Sequence, residues 1–215
     1  VTGTIDASVS YNVTVAGVGA VQTYKLPYKT QQGTTEAIWL VDHNASGVPI
    51  ITTPPSGYTE NTINVCWSQE TTPPAVIITI LYRKSNVYYI GKIASDPLPA
   101  RRDGTAPYSP ANNFSAPTAL SDGCGEAAMY RQRINFTTLG SDPPDPATDP
   151  LVMLRIRPVY SDTTIAVRGA AGSSLPKQGN QIVSTGTFQS GITRKIIVNQ
   201  SYRAPSTVFD SVIFS

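Results

Sequence analysis

Residues 5–15 read IDASVSYNVTV, and the alternation in this stretch decides the fold class. Ile5, Ala7, Val9, Tyr11, Val13 and Val15 fall on one side, with Asp6, Ser8, Ser10, Asn12 and Thr14 on the other. Successive side chains of an extended backbone point to opposite faces, so a period of two over this length predicts a half-buried strand. Gly17 and Gly19 then signal a turn, and residues 21–28 (VQTYKLPY) alternate again. Pro27 has no N–H to give to a ladder, which places that second strand at a sheet edge.

The same signal recurs along the chain at 36–41, 62–68, 76–83 and 87–95, then at 130–137, 151–160, 165–167, 180–188 and 194–200. Lys84, Ser85 and Asn86 separate two of these runs by a hairpin-length loop. Helix signals are few, because eighteen prolines break most windows long enough to hold one. Residues 125–129 (GEAAM) and the tail 206–214 are the only weak candidates, and 111–120 supports at most a short turn. Residues 94–117 and 140–150 (GSDPPDPATDP) are Pro-rich and read as exposed connections. The expected fold is mostly β, an antiparallel sheet or sandwich with long Pro-rich loops and little helix. It is either one domain over 1–215 or two lobes, 1–95 and 118–215, joined by the first Pro-rich stretch. No internal repeat is visible.

Composition places the chain outside the cytoplasm. Charged residues are 14% of the total, against about 25% in ordinary soluble domains. Thr, Ser, Asn and Gln take their place, as suits an extracellular surface. A net charge of +2 is too small to make nucleic acid or an anionic membrane the main partner. The longest apolar run, 75–81 (AVIITIL), is strand-length and far short of the roughly 20 residues of a membrane helix. Val1 opens directly on strand-like sequence, so the expectation is an exported chain whose leader has been processed away or one cloned as an ectodomain. Cys66 and Cys124 are the only thiols and allow one disulfide, closing a loop of 58 residues. Such a bridge is worth about 4 kcal/mol by chain entropy; the alternative is two separate buried thiols.

Nothing in the chain assembles a catalytic, metal or cofactor motif. His43, the sole histidine, follows Asp42, but no nucleophile elbow accompanies the pair, and it reads as an ordinary polar turn residue. One histidine and two distant cysteines do not make a zinc site. Asp142, Asp145 and Asp149 alternate with proline where a calcium loop needs glycine and asparagine. No carboxylate pair stands out for glycoside hydrolysis, and the Gly169 to Gly172 loop leads to Leu175 and Pro176, not to a phosphate-binding helix. The chain therefore reads as non-enzymatic and without a cofactor, a secreted hydrolase being the weakest reading. Aromatic side chains offer a different alternative. Trp39 and exposed tyrosines such as Tyr88 could stack on sugar rings in a secreted carbohydrate-binding or adhesin module, while Trp67, beside Cys66, is expected to pack against a core disulfide. Asn12, Asn44, Asn113, Asn135 and Asn199 each begin an Asn-x-Ser/Thr sequon.

The C-terminal part has a family look. Residues 180–200 read as two strands, NQIVSTGTF and TRKIIVNQ, followed by SYRAP and the ending TVFDSVIFS. This ending resembles the C-terminal signature of PilX-type pilus assembly proteins, pseudopilin-like parts of bacterial type IV pilus systems. Residues 65–68 (VCWS), 75–82 (AVIITILY), 112–114 (NNF) and 154–158 (LRIRP) are similar to the ectodomains of that group. The resemblance implies a structural or assembly role at the cell surface, with other pilin or pilus subunits as partners. Such proteins begin with a processed apolar helix, so membrane contact is expected only through a helix missing from this sequence or through a partner. Without that helix, strand pairing along residues 5–15 would be the natural attachment. Val208, Phe209, Val212, Ile213 and Phe214 concentrate apolar groups in the tail and are expected to dock, on their own domain or on a neighbour.

Overall fold

The computed structural model describes residues 1–6 and 9–205. Their strands are β1 (Thr2–Asp6), β2 (Val9–Gly19), β3 (Thr23–Thr30), β4 (Glu36–Trp39), β5 (Thr62–Ser68) and β6 (Ala75–Lys84). They continue as β7 (Val87–Ser95), β8 (Met129–Asn135), β9 (Leu151–Val159), β10 (Thr163–Gly169), β11 (Lys177–Phe188) and β12 (Thr193–Ser201). All strand pairings are antiparallel, in three four-stranded sheets ordered β1-β2-β11-β12, β3-β10-β5-β8 and β4-β9-β6-β7. The chain is mostly β and antiparallel, as its alternation indicates.

The second and third sheets face each other across one core and form a sandwich. Ile63, Val65 and Trp67 of β5 and Ile165 and Val167 of β10 meet Val76, Ile78 and Ile80 of β6 and Leu154 and Ile156 of β9. Each such side chain contributes about 1.5–3 kcal/mol by leaving water. A register shift where β6 meets β9, between Leu81 and Tyr82, lets Leu151 and Leu154 both face inward despite their odd spacing. Both sheets take strands from either side of residues 94–117: β5 pairs with β8, and β6 pairs with β9. That Pro-rich stretch runs along the sandwich and bonds to it through Ser115, whose N–H donates to Ala94 O at 2.9 Å.

Several local expectations change. Residues 5–15 are not one strand: β1 ends at Asp6, β2 starts at Val9, and β1 folds back against β2. Residues 125–128 form a turn rather than a helix, and Met129 begins β8. The helix of the described residues, α1 (Pro99–Asp103), lies inside the Pro-rich stretch. Proline suits a first helical turn, where its missing N–H would have no partner. β3, which carries Pro27, is an edge strand as expected. Ser85 and Asn86 form the two-residue hairpin loop, both with positive φ (50° and 64°).

The first sheet stands apart from the sandwich as an arm. The chain leaves it at Gly19 and re-enters it at Lys177, and these two residues are cross-strand partners. The whole sandwich is thus an insertion between two paired strands of the arm. The junction depends on Gly19, with φ 93° and Pro176 O only 2.7 Å from where a Cβ would sit.

Candidate assembly surface

Cross-strand register places the arm's side chains in rows. Val15, Ile182 and Val198 make one row, and Val13, Ser184 and Ile196 the next. Tyr11, Gly186 and Arg194 follow, then Val9 beside Phe188 toward the hairpin tip. Val1 joins the Val13 row, since its amino group donates to Val13 O and its carbonyl accepts from Val13 N–H, both at 2.7 Å. Gly3 opposes Tyr11, and a Cβ there would meet the tyrosine hydroxyl at 2.5 Å, so glycine makes room for the ring over β1. These rows form one largely apolar face across the four strands, interrupted by Ser184, Gly186 and Arg194. The opposite face carries Ser10, Asn12, Thr14, Thr185, Thr187 and Lys195, with a single large apolar pair, Val183 and Ile197.

The apolar face is uncovered among the described residues. Val15 is 65% exposed, Ile196 63% and Val198 48%, and every residue of β12 is exposed. An apolar face of this kind in the sandwich is buried to near zero. Large contiguous apolar patches on a soluble surface mark interaction sites.

The arm is anchored at its root. Gln178 is buried, accepts the Trp39 N–H at Oε1 (2.8 Å), and donates from Nε2 to Trp39 O (2.9 Å) and Pro176 O (2.8 Å). The side-chain amide thus acts as a strand partner for the end of β4. Tyr202, just beyond β12, stacks on His43 with ring centroids 4.0 Å apart, and Trp39 meets His43 edge-on at 4.7 Å. Burial lowers the His43 pKa, against the opposing pull of the Val41 main chain and the Asp42 carboxylate. His43 is therefore a packing residue between the sandwich and the arm. An open cleft of about 910 Å³ lies beside it, between residues 43–48 and the arm root, and includes Lys177, Asn180 and Arg203 in its lining.

The disulfide between Cys66 and Cys124 is formed, with Cα atoms 6.0 Å apart. Trp67 does not pack on it. Neighbours on a strand point to opposite faces, so Cys66 lies outward with Cys124, Met129 and Ala166, while Trp67 enters the sandwich core. The Trp67 indole donates to Pro74 O at 2.8 Å. Trp39 is also buried (5% exposed), so neither tryptophan offers a platform to a sugar. Asp142 pairs with Lys84, while Asp145 and Asp149 close a local turn. Among the described residues no group of three or more His, Cys, Asp or Glu side chains could hold a metal ion, and no helix is long and apolar enough to cross a membrane.

One buried polar cluster has no counterpart in the sequence reading. Asp96, fully buried, accepts from Arg101 Nη2 (2.8 Å), from the Leu98 N–H (2.9 Å) and from Asn112 Nδ2 (2.7 Å). Arg101 also donates to Pro73 O and lies 4.0 Å from the Tyr160 ring centroid. This network ties the Pro-rich stretch to the sandwich. Residues 180–188 and 194–200, which carry much of the family resemblance, are β11 and β12 of the arm. Val208, Phe209, Val212, Ile213 and Phe214 lie outside the described residues. No family model, curated protein or solved structure matches this chain.

Proposed function

We propose that this protein is a structural or assembly subunit of an extracellular, type IV pilus-like filament, in which the sandwich is the displayed body and the arm engages neighbouring subunits. The observation that carries the reading is the arm's apolar face, patterned across four strands yet open to water. Holding such a face exposed costs solubility and returns nothing to the fold, so it is explained by a partner. The formed disulfide suits an oxidising compartment, and the chain's Ser/Thr/Asn-rich surface suits the outside of a cell. The pilus assignment in particular rests on the resemblance of the C-terminal residues to PilX-type proteins. Strand β2, the natural attachment by its sequence, lies between β1 and β11, so the face and the β12 edge take that role instead.

The test is incorporation into surface filaments of a Val15→Glu variant, whose charge sits in the middle of the apolar face on an internal strand. The expected result is a folded, secreted protein that is lost from sheared filaments by at least tenfold. Incorporation at the unsubstituted level would refute the role given to the face.

A further inference from the structure

We propose that two copies of this chain pair through the outer edges of their β12 strands, antiparallel about a two-fold axis at Ile197, to make one continuous eight-stranded sheet. The inference rests on the arm's being an assembly surface, but it concerns the strand edge and not the apolar face.

The edge is open and regular. No described residue pairs with the outer side of β12, its register with β11 is unbroken from Thr193 to Ser201, and it contains no proline. Which backbone groups point outward follows from the bonds at its two ends. Tyr202 N–H donates to Gln178 O at 3.0 Å, and Ile192 O accepts from Phe188 N–H at 2.9 Å. Residues 192 and 202 therefore face β11, and so do the even-numbered residues between them. Thr193, Lys195, Ile197, Asn199 and Ser201 turn their N–H and C=O groups outward, where only solvent or another strand can satisfy them.

The sequence of β12 fits a second copy of itself. A two-fold axis at Ile197, the middle residue of the strand, overlaps all nine residues. It sets outward groups against outward groups, giving about ten main-chain hydrogen bonds by the usual antiparallel pattern. Ile197 then opposes Ile197 of the second copy, and Ile196 opposes Val198. Lys195 meets Asn199, Arg194 meets Gln200, and Thr193 meets Ser201, so no cation faces a cation. Moving the axis to Lys195 would set the two lysines against each other, and moving it to Ile196 would set Arg194 against Val198. The favoured register also carries the Ile196 and Val198 rows across the junction, so the apolar face continues over eight strands. The two sandwiches end up at opposite ends of the shared sheet.

Three single variants in the full chain test this. Proline at 197 removes an outward N–H while leaving the bonds to β11 in place, so Ile197→Pro is expected to keep the far-ultraviolet circular dichroism and to be monomeric in sedimentation where the parent is dimeric. Both native cysteines are in the disulfide, so an added cysteine supplies the only thiol. Ile197→Cys places two thiols on the axis, with Cα atoms about 5.5 Å apart, and is expected to cross-link more than tenfold faster than Thr193→Cys, whose copies lie far apart. A parent protein that stays monomeric up to millimolar concentration, a dimer that survives Ile197→Pro, or equal cross-linking at 193 and 197 would each overturn the pairing. If Ile197→Pro fails to fold, the cysteine pair decides. A monomeric parent together with loss of Val15→Glu from filaments would sink the edge pairing alone. A dimer together with normal incorporation of Val15→Glu would sink the face's assembly role alone.

Discussion

The sandwich and the arm are built from the same alternating strands, yet they treat their exposed edges and apolar faces in opposite ways. In the sandwich the facing apolar sides are packed into one core, and three of its four edge strands are interrupted, short or covered, while β7 is bonded across at its C-terminal end. β3 carries Pro27, β4 is only four residues long, Ser115 bonds across one end of β7, and residues 118–119 lie along β8, where Arg131 and Ala119 exchange main-chain hydrogen bonds. The arm has none of these devices on β12, which runs nine residues without proline or bulge. Proteins block edges that are not meant to pair. An unblocked edge beside an uncovered apolar face sets β12 apart from β3, β4 and β8, and the proposed assembly role of the arm rests on that difference.

The largest expected contrast comes from the cores. Trp67→Ala should lower unfolding stability by about 3–5 kcal/mol, because it empties the sandwich core and leaves Pro74 O without its indole donor. Val15→Ala in the arm should change it by less than about 0.5 kcal/mol, as for other exposed positions. Urea denaturation of both variants checks the pair, and equal losses would erase the distinction between a buried and an unburied sheet.

Next in size is the disulfide. Replacing Cys66 and Cys124 together with alanine should cost about 2–4 kcal/mol, felt by the sandwich alone, since the bridge joins β5 to the turn before β8. Thermal melts of the double variant should shift downward while its association behaviour stays that of the parent.

The smallest effect lies where the two regions meet. Burial depresses the His43 pKa in the fold, so near and below its ordinary value of 6.5 the unfolded chain binds more protons than the folded one. The His43 contribution is complete above about pH 7 and is lost as pH falls through the depressed folded value. Thermal stability should fall over that window, and His43→Phe, which keeps a ring against Tyr202, should flatten that part of the profile. An unchanged slope in the variant would show that the root of the arm does not sense this proton.

Much of this division was hidden in the sequence, and the reason is physical. Alternation reports that Val9, Val13 and Val15 share a face, and the strand is half-buried at Val9, Tyr11 and Val13 as expected, but alternation says nothing of what covers that face, and Val15 is left exposed. The disulfide was legible because two cysteines allow a single pairing. The orientation of Trp67 could have been read from β5 itself, since neighbours on a strand cannot face the same core. The Asp96 and Arg101 pair escaped because proline content suggested an exposed connection, whereas the two charges are five residues apart and meet only once the chain turns through α1. The anchoring of the arm by Gln178 needed three-dimensional information, as Trp39 is 139 residues away along the chain.

Amide hydrogen exchange, compared between the monomeric protein and its assembled form, tests the central claim most directly. The amides of Lys195, Ile197 and Asn199 should exchange rapidly in the monomer and become protected on assembly, with the sandwich strands β5, β6, β9 and β10 protected equally in both. Protection gained on the outer surfaces of the sandwich, with the β12 amides still exchanging freely, would contradict the account.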